Sequence, residues 1–389
     1  MPATLSPLGQ VMGQTRRYKI MELARGRTDV IAMGRGDPDL PTPPHIIEAA
    51  RRSMDGWGTH YTAAEGAPRL REAIAAKLKT ENSLTFDASD VLVTTGAQEA
   101  LYLAIQVLLS PGDAAVITDP YYGAYAPMTR VAGASLIAVP VGGERMEPDV
   151  AEIEAALTPA VKVLVVVSPN NPSTNVIADK TLEALARLVV RRDLWVISDE
   201  IYEKLVFDEH RHRSIASLPG MAARTIVVNG FAKSYCMTGW RIGYAAGPKS
   251  AIAAMKTLKG TISICAPAMA QAAALAALEG PQECVSDLVA TYAERRTIVR
   301  AALDKMRMPY VAHQGTFYIY ADVSRSGKSA DDFTEALLVD GGVLVFPSTE
   351  FGTGTRHIRL SLLQPIPVLE EAMKRIARVW GSHTTGGDR

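Results

Sequence analysis

Cysteine is scarce in this chain: Cys236, Cys265 and Cys284 are the only three among 389 residues. An odd number without metal-ligand spacing argues against a disulfide framework and gives no metal site; a reducing, cytoplasmic compartment fits best. An excess of either charge is also lacking, since Lys+Arg and Asp+Glu stand at 41 each. That balance gives no basic surface for nucleic acid and no acidic run of the disordered kind. No apolar run approaches the roughly 20 residues that span a bilayer. The opening stretch MPATLSPLGQVMGQTRRYK has no basic-then-apolar signal pattern, and there is no internal repeat or low-complexity linker. What remains is ordinary globular composition, 48% apolar and 21% charged, in a chain long enough for more than one lobe.

Seven short apolar runs are present: DVLVTTG, AAVITDP, ASLIAVPV, VKVLVVVSP, LWVISDE, TIVVNG and RIGYAAGP. They are β-branched and closed by Gly, Pro, Asn or Asp, as strands buried on both faces should be. Helical patterns such as AQEALYLAIQVLL and LEALARLVVRR lie between them. This alternation predicts an α/β fold, a mostly parallel sheet between helices. Ligands of such sheets bind at the carboxyl ends of the strands. Those ends carry Gly96-Ala97-Gln98, Asp119 to Tyr122, Ser168 to Pro172, Asp199-Glu200 and Gly230 to Lys233. Amide donors, an aromatic, an amide side chain, an acid and a lysine suit one polar, planar, anionic ligand.

The pattern changes near residue 282, where the long helical stretch VSDLVATYAERRTIVRAALDKM leads to GTFYIYADV, GVLVFPS and HIRLSLL. A smaller α+β lobe is expected there. Its companion is the N-terminal segment, whose GRGDPDLPTPPHI is too rich in Gly and Pro for a regular element. GRGDPD lacks the third glycine of a dinucleotide fingerprint and follows no βαβ start. The expected division is 1–45 with the small lobe, 46–281 as the large cofactor-binding domain and 282–389 as the small domain. The tail GSHTTGGDR is expected to be unstructured.

Two residues carry the chemistry. An ammonium at a strand end in a pocket is costly, so the pKa of Lys233 should fall and its neutral amine become a nucleophile for carbonyls. The plain alternative is a solvated surface lysine. Asp199 ends LWVIS, and a carboxylate held beside a pyridine nitrogen keeps that nitrogen protonated; otherwise it caps a following helix. A lysine Schiff base with an acidic partner for the ring nitrogen is how proteins hold pyridoxal phosphate.

These residues sit in blocks that run nearly end to end: GDPDLPTPPHI, HYTAAEGAPRLREAI, VTTGAQEAL, DPYYGAY, SPNNPS, SDEIYEKLVF, NGFAKSYCMTGWRIGY, GTFYIY and HIRLSLL. In that order they resemble the class I/II aminotransferases of the pyridoxal-phosphate fold-type-I superfamily, nearest the bacterial aspartate aminotransferase-like branch. The resemblance implies a seven-stranded sheet in the large domain and a homodimer with shared active sites. It implies that Lys233 carries pyridoxal 5′-phosphate and shuttles the proton, and that Asp199 partners the ring nitrogen. Tyr202 and Asn171 would bond the phenolic oxygen, and Tyr122, with Tyr121 the adjacent alternative, would stack on the ring. Gly96, Ala97, Gln98 and Arg241 would hold the phosphate, with Arg241 starting its strand. Tyr61 would reach the neighbouring subunit's phosphate. Arg359 would grip the substrate α-carboxylate, with Asn171 and the Gly36 backbone beside it.

Each has an ordinary alternative: a helix-face aromatic for Tyr202, an Asn-Pro turn for Asn171, plain packing for Tyr61, an exposed edge-strand arginine for Arg359. Two positions depart from many relatives, Gly230 where a phosphate-binding Ser is common and Tyr122 where the stacking aromatic is often Trp. The implied activity is ping-pong transfer of an amino group from an L-amino acid, aspartate favoured, to a 2-oxo acid such as 2-oxoglutarate. Ala97-Gln98-Glu99 stands where some acidic-substrate relatives carry a lysine, so aromatic or branched-chain donors stay open. A β-eliminating carbon–sulfur lyase is the rival on the same scaffold. A non-catalytic regulator is set aside, because neither spare length before the fold nor a basic face suggests a DNA-binding module.

Overall fold

The structure is a computed structural model and describes residues 4–6, 8–9 and 16–384. A seven-stranded sheet forms its centre, from β2 (Val91–Thr94), β3 (Ala114–Asp119), β4 (Ser135–Pro140), β5 (Val161–Val167), β6 (Trp195–Asp199), β7 (Thr225–Gly230) and β8 (Gly243–Ala246). All seven correspond to the apolar runs of the sequence. The spatial order is β2-β8-β7-β6-β5-β3-β4, and β8 alone runs antiparallel to its neighbours.

Period-2 alternation feeds two apolar layers. Ala115 and Ile117 of β3, with Val163 and Val165 of β5, meet Leu101, Ala104, Ile252 and Met255 from the helices Ala97–Leu108 and Lys249–Ile262. Val116, Leu164, Val166 and Val196 point the other way, onto Leu182, Leu185 and Val189 of the helix Asp179–Arg191. That helix buries residues at i, i+3 and i+7 and places Asp179 in its first turn and Arg191 in its last, matching the helix dipole. Buried apolar strands therefore need cover on both faces, and the amphipathic helices supply it.

The smaller α+β lobe holds β9 (Tyr318–Asp322), β11 (Phe346–Pro347) and β12 (His357–Ser361) in the order β11-β12-β9, all antiparallel. The N-terminal segment contributes β1 (Ile31–Ala32), parallel to β10 (Val343–Leu344). Its core packs Phe333 and Leu337 against Leu369, Ile376 and Trp380, and takes in Tyr202, Leu205 and Phe207 from the chain after β6. The last helix runs Ile366–Thr384, so Gly381 to Thr384 are helical rather than unstructured; residues 385–389 lie outside the described residues. Among the described residues no helix is long and apolar enough to cross a membrane.

Candidate active site

β7 ends at Gly230 and the chain turns, so Lys233 stands three residues beyond the strand. Its part-buried amine donates to the Gly36 carbonyl at 2.6 Å. Burial pushes its pKa down, and the Arg359 and Arg241 cations add to this against the opposing pull of Tyr318 and Asp37. This is not a solvated lysine.

Asp199 closes β6 and is 5% exposed. Tyr125 Oη donates to its Oδ2 at 2.6 Å, and the Ile201 N–H to its Oδ1 at 3.3 Å. Burial lifts its pKa to about 6 although both donors oppose the rise. A turn follows it, so it caps no helix. Tyr202 lies buried in that turn, edge-on to Phe317 and Tyr318, with its Oη 3.5 Å from Tyr318 Oη.

Gly96 precedes the helix Ala97–Leu108, and the first N–H groups of a helix have no partner within it. A Cβ on Gly96 would stand 2.8 Å from Arg241 Nη2, so the guanidinium overlies that helix start. Arg241 does not start its strand, contrary to expectation. It sits two residues ahead of β8 with φ 52°, a left-handed turn that extended backbone cannot include, and its Nη1 donates to the Thr238 carbonyl at 3.0 Å. Tyr122 Oη donates to Gln98 Oε1 at 3.4 Å, and its ring is edge-on to Tyr125 at 6.3 Å. Since Tyr125 holds Asp199, Tyr122 lies on the Asp199 side; the Tyr121 N–H turns instead to the Phe351 carbonyl at 2.7 Å.

Arg359 belongs to the central strand of its sheet and is 5% exposed, which rules out an exposed edge arginine. Nη1 donates to Asn171 Oδ1 at 2.8 Å and Nη2 to the Gly34 carbonyl at 2.7 Å. Asn171 is thus committed to the arginine and does more than make a turn. The guanidinium carbon lies 4.0 Å from the Tyr318 ring centre and 4.4 Å from that of Phe351. Nε is buried without a partner among the described residues. Buried polar groups are normally satisfied, so an orphaned guanidinium N–H beside two aromatic rings has the chemistry to receive an acceptor such as a carboxylate. Tyr61, by contrast, is 82% exposed and packs on nothing in its own chain core.

The fold thus joins Lys233, Gly36, Tyr202, Asn171 and Arg359 around Tyr318, with Asp199 reached through Tyr125 and the helix start through Tyr122. Sequence reasoning missed Tyr125, Tyr318 and Phe351. The first two lie inside the DPYYGAY and GTFYIY blocks; the signal available was a polar tip on an aromatic that must be buried.

A part-buried amine of lowered pKa, a buried acid and a helix start overlain by a guanidinium thus meet at the crest of an α/β sheet, where ligands of such folds bind. The family model for aminotransferase class I and II matches residues 28–376. The aspartate aminotransferase of Pyrococcus abyssi is 38% identical over 366 residues, covering 93% of this chain and 94% of that protein. The aromatic-amino-acid aminotransferase 2 of Thermococcus litoralis is 35% identical over 380 residues, 96% and 98% covered. A solved single mutant of Thermus thermophilus aspartate aminotransferase superposes with a TM-score of 0.92 at 37% identity, covering 97% of this chain and 100% of that one. The chain belongs to the class I and II aminotransferases, aspartate aminotransferase-like, and is a transaminase of fold type I.

Proposed function

We propose that this transaminase works with pyridoxal 5′-phosphate and moves the amino group of an L-amino acid, aspartate first, to a 2-oxo acid such as 2-oxoglutarate in a ping-pong cycle. The carrying observation is a pair of unlike groups at one crest: a buried carboxylate, Asp199, whose donors are a hydroxyl and a peptide N–H, and Lys233, an amine with its pKa held down. The other residues fit the cofactor's parts. Gly96, the Ala97 and Gln98 amides and Arg241 suit a phosphate; the orphaned Arg359 Nε suits a carboxylate.

When bound, the cofactor supplies a sink for the electron pair released from the substrate Cα–H bond. Asp199 would hold the ring nitrogen and offer its carboxylate to that nitrogen's proton. Lys233 Nζ takes the proton from Cα and returns it, work suited to an amine of lowered pKa. Tyr202 and Asn171 would present a hydroxyl and an amide to the phenolic oxygen, and Tyr122 would pack on the ring. Arg359, with Asn171 and the Gly36 backbone, would hold and orient the substrate α-carboxylate.

The reading includes a homodimer. Met54, Trp57, Tyr61, Ile262 and Ile264 are exposed large apolar residues. The helix Ala268–Glu279, which packs on the Trp57–Thr59 turn, brings them near a cleft of about 550 Å³ beside Arg241, lined by Trp240, Pro267 and Met269. Tyr61 at this face suits a residue lent to the neighbouring subunit. Three free thiols fit a cytoplasmic setting. The pairing of β1 with β10 supports grouping the N-terminal segment with the small lobe.

A panel of amino donors against 2-oxoglutarate tests the reading. Aspartate should give the highest kcat/KM, and activity should need added pyridoxal phosphate. Faster turnover of aromatic or branched-chain donors would replace aspartate, and pyruvate released from cysteine-type substrates without an acceptor would replace transamination by β-elimination.

A further inference from the structure

The loop between β11 and β12 crosses to the end of β3 at one place. Asp119, the last residue of β3 and 6% exposed, accepts two hydrogen bonds on Oδ2. Both come from Thr353, one from its N–H at 3.0 Å and one from its hydroxyl. The Tyr121 N–H donates to the Phe351 carbonyl at 2.7 Å. Gly123 approaches Glu350 so closely that a Cβ would stand 2.7 Å from the Glu350 carbonyl oxygen. Tyr122 is therefore flanked on both sides by contacts to one loop of the small lobe. Gly352, at φ +132°, is where a Cβ would run into the Asp119 carboxylate, so that carboxylate lies against bare backbone.

The same loop carries Phe351, whose ring centre is 4.4 Å from the Arg359 guanidinium. Its far end is tied as well. Ser348 Oγ donates to the Gly354 carbonyl at 2.8 Å and accepts from the His357 N–H at 3.3 Å. His357 opens β12, two residues before Arg359. A buried carboxylate is costly unless its acceptors are filled, and here the filling groups belong to the opposite lobe.

We propose that Asp119 is a positioning residue: through Thr353 it straps the Phe351 loop against the Arg359 guanidinium and, through the same loop, sets Tyr122. The carboxylate socket and the ring-packing tyrosine are then held in one register. This rests on the roles of Arg359 and Tyr122 proposed above. The Asp119 carboxylate is engaged by Thr353, so its loss should weaken carboxylate binding while leaving the Lys233 and Asp199 chemistry intact.

The test uses the cofactor-loaded enzyme and the variants D119A, T353V, T353S, the double variant D119A/T353V, and R359A. Two series are measured: donor KM and kcat, and by calorimetry the affinity for maleate and 3-phenylpropionate, carboxylates without an amino group. D119A should raise KM and weaken the better-binding carboxylate by roughly tenfold, and T353V by about threefold, with kcat within about twofold. T353S, which restores the hydroxyl, should match the wild type, and the double variant should be no worse than D119A. The visible band of the bound cofactor should not change. Affinities within about twofold of wild type in D119A, or a lost cofactor band with kcat falling as far as kcat/KM, overturn the proposal. Where D119A does not fold, T353V against T353S decides. An R359A variant that keeps both affinities removes the socket itself, and the strap with it; R359A losing binding while D119A keeps it rejects the strap alone.

Discussion

Asp199 is an acid where water does not reach. Its pKa of about 6 lies above the ordinary 3.8 because burial disfavours the charge more than Tyr125 and the Ile201 N–H support it. A carboxyl whose pKa is raised by folding costs stability as pH climbs from 3.8 through about 6, and the full cost is present above that window. For a fully buried group the shift amounts to roughly 3 kcal/mol in the cofactor-free protein. Asp199→Asn removes that charge and keeps an oxygen for Tyr125. We expect the cofactor-free variant to melt a few degrees above the wild type at pH 8 and level with it near pH 4, by calorimetry. Turnover should fall by about 100-fold or more, since the ring nitrogen loses its acidic partner. Equal melting at pH 8 would show that the wild-type carboxylate is not held at a cost. A charge held at such a cost by its own chain is a common signature of a functional position.

Short elements aim these residues. The stretch after β6 alternates: Asp199 and Tyr202 face the site, while Glu200 and Glu203 turn into a buried network. Ser198, Ser214 and His212 engage Glu200. Lys77 and Asn82 engage Glu203. Burial raises the Glu203 carboxyl, but Lys77 and His212 outweigh it and hold its pKa at about 2. With its acids tied down, the turn has little freedom, and Asp199 and Tyr202 inherit that rigidity. The helix start beneath Arg241 depends on β8 in the same way. A Cβ on Gly243 would lie 2.5 Å from the Ala97 nitrogen and 3.0 Å from the Asn229 carbonyl, both backbone atoms that cannot swing aside. Gly243→Ala should therefore lift the start of the helix Ala97–Leu108 and weaken pyridoxal-phosphate retention by roughly tenfold on dialysis, an overpacking cost near 1.4 kcal/mol. Unchanged retention would mean that the helix start does not contact the phosphate. Gly230 is explained by the same crossing: its Cβ would stand 3.0 Å from the Gly243 Cα, so a larger residue is crowded there.

At the scale of the whole molecule, Trp57, Tyr61 and Ile264 are large apolar residues that one chain leaves exposed. A charge placed there, as in Ile264→Asp, should shift the enzyme toward monomer in analytical ultracentrifugation and lower activity with it; a fully active monomer would remove Tyr61 from the proposed site. Much of the architecture was legible beforehand. Seven β-branched runs gave seven strands because a run buried on both faces leaves few other solutions, and the same pattern placed Lys233, Asp199, Gly96 and Asn171 just at or beyond strand ends. What composition and spacing could not give were relations between distant segments: Tyr125 on Asp199, Tyr318 between Gly36 and Arg359, Asp119 on Thr353, and the left-handed turn that moves Arg241 off its strand. Local patterning determines which elements form, because each buries its own apolar face. Side-chain partners across a cleft are decided only once the lobes pack, since a hydrogen bond depends on positions that no local pattern encodes.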